Sequence, residues 1–481
     1  MHISMFCRNM LKFLCLGGVI MKKFIKLTLA ALITVTTAMS FIGCSSNKEV
    51  KKATTDNNAS GIKTISTKDL KDKLGNKDWV VVDTRINDAF NGWKLDGVQR
   101  GGHIKGATDF SANWLKVEDK EKDQTLEKTL KTKSISADKN IVLYDANGKD
   151  AQAVATYLKQ KGIINIYTYD IKLWASNTSL PLENYANYQM LVPPSFVNDL
   201  VNGKKPETYT NDKYKIFEVA WGEESKDEDY KKGHIKGAVH INTDEIESAP
   251  LWSINSDAAL KTFAEKNGLT ADTTVVLYGP DPMASFRIAA IAKYIGVKDV
   301  RVLNGGTNAF RNAGYVTETI SNAKEPVSSF GAIIPVNKSY IVDINVAKEV
   351  LADKANSKLV DVRSWEEYTG KISGYSDLKF MGRPVGSTWG HAGSDPNHLQ
   401  DYRNIDNTMR NKDEILAMWK QQGITPDQNL SFFCGSGWRA AEVLTYADVM
   451  GLKNISLYSN GWYEWSASPK NPIEKGEPKV K

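Results

Sequence analysis

The chain has 481 residues, room for roughly three domains at about 150 residues each, with 41% hydrophobic and 25% charged residues. That composition is ordinary for a globular protein and excludes a chain too polar to form a core. The formal charge of +6 is concentrated at the start, where Arg8, Lys12, Lys22, Lys23 and Lys26 precede residue 44 with no acid among them; the remainder is close to neutral, which excludes a broad nucleic-acid-binding field.

In chain order, residues 1–20 lie upstream of a complete export signal, so Met21 is the expected start. "MKKFIK" (Met21–Lys26) is a positive n-region and "LTLAALITVTTAMSFIG" (Leu27–Gly43) an apolar h-region ending in a small residue. Cys44 follows at once. Residues 21–43 resemble a bacterial lipoprotein signal, which implies cleavage before Cys44 and lipid on its sulfur. The protein would then sit in the cell envelope, anchored to the outer face of the membrane. The alternative is an uncleaved transmembrane anchor, and either leaves the rest outside because the lysines stay inside. Residues 44–62 are polar and aperiodic and read as a flexible tether. Of four cysteines, Cys7 and Cys15 lie upstream and Cys44 is the lipid site. Cys434 alone remains in the body, which therefore has no disulfide framework and one thiol free to react.

The body repeats itself. "GHIKGA" occurs at Gly102–Ala107 and again at Gly233–Ala238. Apolar, β-branched runs ending near an acid precede each copy, "VVVDTR" (Val80–Arg85) and "KIFEVA" (Lys215–Ala220), and a third such run is "KLVDVR" (Lys358–Arg363). Their acids Asp83, Glu218 and Asp361 are 135 and 143 residues apart, a period that means whole domains and not a solenoid. A helical pattern precedes each run. After it come a second strand ("NIVLYD", "TVVLYG", "LSFF"), a second helical pattern, and a third strand ("IYTYD", "VRVLNGG", "ISLYSNGW"). Short strands alternating with helices predict a parallel α/β sheet flanked by helices in each of three units: 63–186, 187–322 and 323–481. His103 and His234 in the repeated motif read as parts of a tight glycine turn, since both sit in units without cysteine.

Cys434 follows directly on the strand run "LSFF", and the loop "CGSGWR" leads into a helix. Ligands of open α/β sheets bind at the carboxyl ends of strands, against helix N-termini whose N–H groups are unpaired. Gly435 and Gly437 let the backbone curl so that several N–H groups face one centre. A thiolate there is stabilised, and Arg439 adds a permanent charge beside the sulfur or on an anionic substrate. Trp438 either covers the pocket mouth or packs beside the helix. Arg363, two residues after Asp361, either faces the pocket or forms a surface ion pair with Asp361 or Glu366.

A strand, then Cys-x4-Arg, then a helix resembles the active-site loop of rhodanese sulfurtransferases. "GHIKGA" resembles a family signature with Lys105 and Lys236 where proline is usual, and "YSNGWYEWS" (Tyr458–Ser466) resembles its Gly-Gly-x-x-x-Trp ending with Asn460 at the first glycine. The stretches "WGHAGSDPNH", "DNTMRN" and "CGSGWRA" are similar to a three-domain cell-envelope group. The resemblance covers residues 63–481. It implies a persulfide on Cys434, a small sulfur-containing anion such as thiosulfate or 3-mercaptopyruvate as donor, and a thiol or cyanide-like acceptor. The N–H groups of Gly435, Ser436, Gly437, Trp438 and Arg439 would cradle the persulfide, and Arg439 would bind the donor's sulfonate. Unit one has Asp145, and unit two Gly279, at the cysteine position, so both are expected to be inactive scaffolds. No cofactor is implied, and no Cys/His pair has metal-ligand spacing. A phosphatase of the related dual-specificity type would need five residues between cysteine and arginine, where this loop has four. A non-catalytic persulfide carrier or docking protein is the alternative of a different class.

Overall fold

The same five-stranded parallel sheet recurs three times, each built around the apolar runs of the repeat. The computed structural model describes residues 62–478. The upstream extension, the expected signal at 21–43, the lipid site Cys44 and the tether up to residue 61 lie outside the described residues.

In unit one the strands, in chain order, are Lys63–Thr64, Trp79–Asp83, Thr108–Asp109, Asn140–Asp145 and Ile166–Asp170. In unit two they are Leu191–Val192, Tyr214–Ala220, Val239–Asn242, Thr274–Tyr278 and Asp299–Leu303, and in unit three Ile341–Val342, Ser357–Asp361, Thr388–Trp389, Asn429–Phe433 and Ile455–Tyr458. Numbered within its unit, each sheet has the spatial order first, fifth, fourth, second, third. The three long strands are those visible in the sequence. The two edge strands of each unit are mostly too short to carry a period-2 signal and form by pairing with a neighbour already in place.

The fourth strand is central and buried on both faces, with Leu430, Phe432 and Phe433 fully covered. Its continuous apolar sequence follows from helices lying on both sides. The helix after it is Asp150–Gln160, Pro282–Ile295 or Trp438–Val449 in the three units. In unit one this helix is amphipathic, burying Ala151, Val154, Ala155 and Leu158. In units two and three it is buried almost all round, because the two helices pack against each other, with Phe286 and Tyr446 rings 5.1 Å apart. That contact explains why neither segment has a continuous polar face.

The repeated histidines are structural. His103 stacks on Phe90 and His234 on Tyr230, each at 3.7 Å, and each Nδ1 hydrogen-bonds the carbonyl of the residue it stacks on. Their strands, His103–Ile104 and His234–Ile235, pair antiparallel with Leu182–Glu183 and Thr317–Glu318 near the end of each unit. In unit three Arg383 takes the same place over Tyr368.

The three units share buried polar contacts as well as apolar ones. Asn304 of unit two donates to Asp88 of unit one at 3.0 Å and accepts from Met409 N–H of unit three at 3.0 Å. Lys133 of unit one pairs with Asp109 at 2.7 Å and with Glu414 of unit three. Among the described residues no helix is long and apolar enough to cross a membrane.

Candidate active site

Cys434 is the first residue after the central strand of unit three and is 1% exposed. The chain then turns through Gly437, at φ +96°, into the helix Trp438–Val449. A side chain at Gly437 would be strained there whatever the space. The Gly437 N–H donates to Cys434 Sγ at 3.2 Å. Of the five N–H groups expected around the sulfur, Gly437's is the one that reaches Sγ among the described residues. Ser436 and Trp438 are half-buried and the rest of the loop is buried.

Unit one carries an internal comparison. Asp145 stands at the cysteine position, and its carboxylate accepts from Gly148 N–H at 3.0 Å and Ala151 N–H at 2.9 Å. Gly148 is three residues on, as Gly437 is from Cys434. The same loop therefore holds a carboxylate in one unit and a sulfur in the other, and its N–H groups suit negative charge. In unit two a Cβ at Gly279 would lie 2.2 Å from the Val219 carbonyl oxygen, so cysteine does not fit.

The glycine of "SNGW" has a specific task. A Cβ on Gly461 would lie 2.4 Å from the Cys434 carbonyl oxygen and 2.7 Å from that of Gly435. The following N–H groups use that approach: Trp462 donates to Cys434 O at 2.8 Å and Tyr463 to Gly435 O at 3.1 Å. This segment fastens the cysteine loop from behind.

Arg439 is engaged by the protein through both terminal nitrogens. It is buried, and its Nη1 and Nη2 bind the two oxygens of Glu367 at 2.8 and 2.9 Å. Nη2 also donates to the Tyr375 hydroxyl at 3.1 Å and Nη1 to Asp395 O at 3.3 Å. The fork fixes the positive charge beside the loop, and Nε, which takes no part in it, is buried without a partner among the described residues. Burial pushes the Glu367 carboxyl up, but the Arg439 guanidinium, together with Arg363 and the Ser364 N–H, holds it below the usual range.

Arg363 forms the ion pair with Asp361 that was the alternative to facing the pocket, and it does so buried and not at the surface. It is fully buried, with Nε and Nη2 on Asp361 at 2.8 and 2.6 Å and Nη2 on the Gly382 carbonyl at 2.9 Å. Arg85 makes the same three bonds to Asp83 and Gly102 in cysteine-free unit one. The pair is a feature of the fold. Burial, which the exposed-pair reading missed, follows from the Trp462 ring 4.6 Å below the guanidinium. In unit two the pair becomes Glu218 and His240, 2.7 Å apart. These two and Asp227 are the group among the described residues that could hold a metal ion.

Trp438 settles neither as a lid nor as helix packing alone, because its indole N–H donates to Glu247 of unit two at 2.7 Å. Tyr375 was not found by sequence reasoning. It lies between the helix Trp365–Thr369 and the strand Arg383–Pro384, and its hydroxyl would be 2.3 Å from a Cβ on Gly435. Burial pushes its phenol up, Arg439 opposes this, and Cys434 adds to it. Glu367 had a legible signal, a capping box with Ser364. Tyr375 and Glu247 had none, being brought to the loop only by folding.

The model of the rhodanese-like domain matches residues 66–176, 210–313 and 345–468. The chain is 41% identical over 409 residues to thiosulfate sulfurtransferase YnjE of Escherichia coli strain K12, covering 84% of this chain and 91% of the relative. The crystal structure of an anaerobic ergothioneine biosynthesis enzyme from Chlorobium limicola, in complex with its natural substrate trimethyl histidine, superposes with a TM-score of 0.81. Identity is 37%, and the match covers 87% of this chain and 100% of that one. A variant of EanB with a persulfide on its cysteine, in a tetrahedral intermediate state with ergothioneine, matches at a TM-score of 0.81 and 37% identity, over 86% of this chain and 100% of that chain.

Proposed function

The chain belongs to the rhodanese family and is a sulfurtransferase, and on that premise we propose that Cys434 moves a sulfane sulfur from a small anionic donor such as thiosulfate to a thiophilic acceptor. The observation that carries this reading is Cys434 Sγ against the Gly437 N–H, in the loop position where Asp145 holds a carboxylate on the same N–H. The Cys434 thiol gives its proton to solvent, and the thiolate attacks the outer sulfur of thiosulfate. A new S–S bond forms, the donor's S–S bond breaks, and sulfite leaves with the bonding pair. A nucleophile such as cyanide then takes the outer sulfur and returns the thiolate. Splitting one transfer into two displacements is covalent catalysis, and the loop N–H groups stabilise the charge that develops on sulfur. The full burial of Arg439 and Glu367 leaves Ser436 and Trp438 as the exposed part of the mouth, which suits a small donor.

A second acceptor is a quaternary-ammonium histidine, the substrate of the Chlorobium limicola enzyme. What favours it is the likeness to that enzyme, 37% identical with 100% of its chain covered. We further propose that the chain is exported and lipid-anchored through Cys44. Palmitate labelling that disappears in Cys44→Ser tests it.

Intact mass of the purified protein before and after thiosulfate tests the reading. Wild type is expected to gain one sulfur, to release sulfite and to turn over with cyanide. Cys434→Ser is expected to do none of these. A sulfur gain that persists in Cys434→Ser would sink the assignment. Trimethyl histidine in place of cyanide separates the two acceptors.

A further inference from the structure

We propose that unit two, which has no cysteine, supplies the clamp that aims the sulfur-bearing loop of unit three, with Arg287 and Glu247 as positioning residues. The inference rests on the reading of Cys434 as the sulfur carrier and gives one of the two inactive units a task.

Arg287 stands on the helix Pro282–Ile295, the counterpart of the helix that begins at Trp438. With Gly279 in place of a cysteine, its own loop holds no sulfur. Its guanidinium turns into the neighbouring unit instead. Nη1 donates to Ser459 Oγ of unit three at 2.9 Å, while Nε donates to Glu247 Oε2 at 3.2 Å. A Cβ placed on Gly437 would lie 2.4 Å from Arg287 Nη1 and 2.6 Å from the Ser459 carbonyl oxygen. The guanidinium therefore lies close against the residue whose N–H meets Cys434 Sγ. The other Glu247 oxygen accepts the Trp438 indole N–H at 2.7 Å. One ion pair, its side chains 0% and 4% exposed, thus contacts Gly437, Trp438 and Ser459 together.

Adhesion between the units does not account for this pair. They already share a continuous apolar core in which Phe286 meets Tyr446. A buried ion pair adds little net stability over apolar packing of the same volume. What the fork does supply is direction, because two prongs of a planar guanidinium fix both partners in angle as well as distance. Directed support of this kind matters where a reacting atom must be held in place, since about 1 Å of misplacement can cost about a hundredfold in rate.

The test compares wild type with the double variant Arg287→Met/Glu247→Gln, which removes both charges, and with Ser459→Ala, which leaves the ion pair intact. The first readout is the rate of persulfide formation at saturating thiosulfate, per folded molecule. The second is amide hydrogen exchange at Gly437. The double variant is expected to load at least about tenfold more slowly and to exchange faster at Gly437, with a smaller loss in the same direction for Ser459→Ala. Wild-type loading in both, with a change only in melting temperature, overturns the inference. If the double variant does not fold, Ser459→Ala decides alone, and a wild-type rate there overturns it. If wild type itself takes no sulfur from thiosulfate, the functional reading has failed and not this one. Alkylation of Cys434 by iodoacetamide across the same variants then decides: slower alkylation supports the clamp, equal alkylation overturns it.

Discussion

Cys434 and Asp145 occupy one position in two copies of one loop, a thiol in unit three and a carboxylate in unit one. The Asp145 carboxylate accepts from the buried Ala151 N–H, which would otherwise lack a partner, and from the Gly148 N–H in the exposed part of the loop. Asp145→Ala should therefore destabilise unit one by about 2 kcal/mol, read by urea denaturation, and leave the persulfide yield on Cys434 unchanged. The same comparison between copies explains Arg363. Its bonds recur around Arg85, in a unit without cysteine, so the pair with Asp361 belongs to the fold. A sequence shows only that an arginine lies two residues past an acid. It does not show that an aromatic ring, Trp462, seals the pair from solvent.

At the scale of elements, the loop is held by three separate pieces of chain. The helix Trp365–Thr369 presents Glu367 to Arg439, the connection after it brings Tyr375 against Gly435, and the segment at Gly461 fastens the loop carbonyls. Glu367→Gln should cost about 3 kcal/mol, because it leaves the Arg439 charge buried without its partner. The pH dependence has a definite sign. Glu367 is held below its ordinary value of 4.5, so its contribution is present above that value and lost as pH falls through the depressed one. Denaturation of wild type below about pH 4.5 should show that loss, and the variant should lack it.

At the scale of the whole molecule, the units meet around buried acids. Burial, and secondly the neighbouring Asp406, push the Asp88 carboxyl up to about 7. Burial lifts Asp406 to about 6. A carboxyl whose folded value is raised contributes stability that is full below its unfolded value and lost as pH rises through the folded one. The junction should therefore loosen between about pH 4 and pH 7. Asp88→Asn keeps an acceptor for Asn304 but never ionises, so its melting temperature should vary less over that range than wild type's. An equally steep profile in the variant would remove Asp88 from the account. The clamp from Arg287 belongs to this scale too, since it exists only when two units are docked.

The sequence by itself determined the threefold repeat, the parallel α/β class, the central strand, the cysteine loop and the absence of a thiol in units one and two. Each of these is local: a run of apolar residues, a glycine, or a residue type at one position carries it. Tertiary structure alone decided which groups surround the sulfur. Glu367, Tyr375, Glu247 and Arg287 lie 67, 59, 187 and 147 residues before Cys434. No periodicity or motif links positions so far apart. Glu367 and Tyr375 reach the loop through the folding of unit three itself, and Glu247 and Arg287 reach it because the helices of units two and three bury each other's apolar faces.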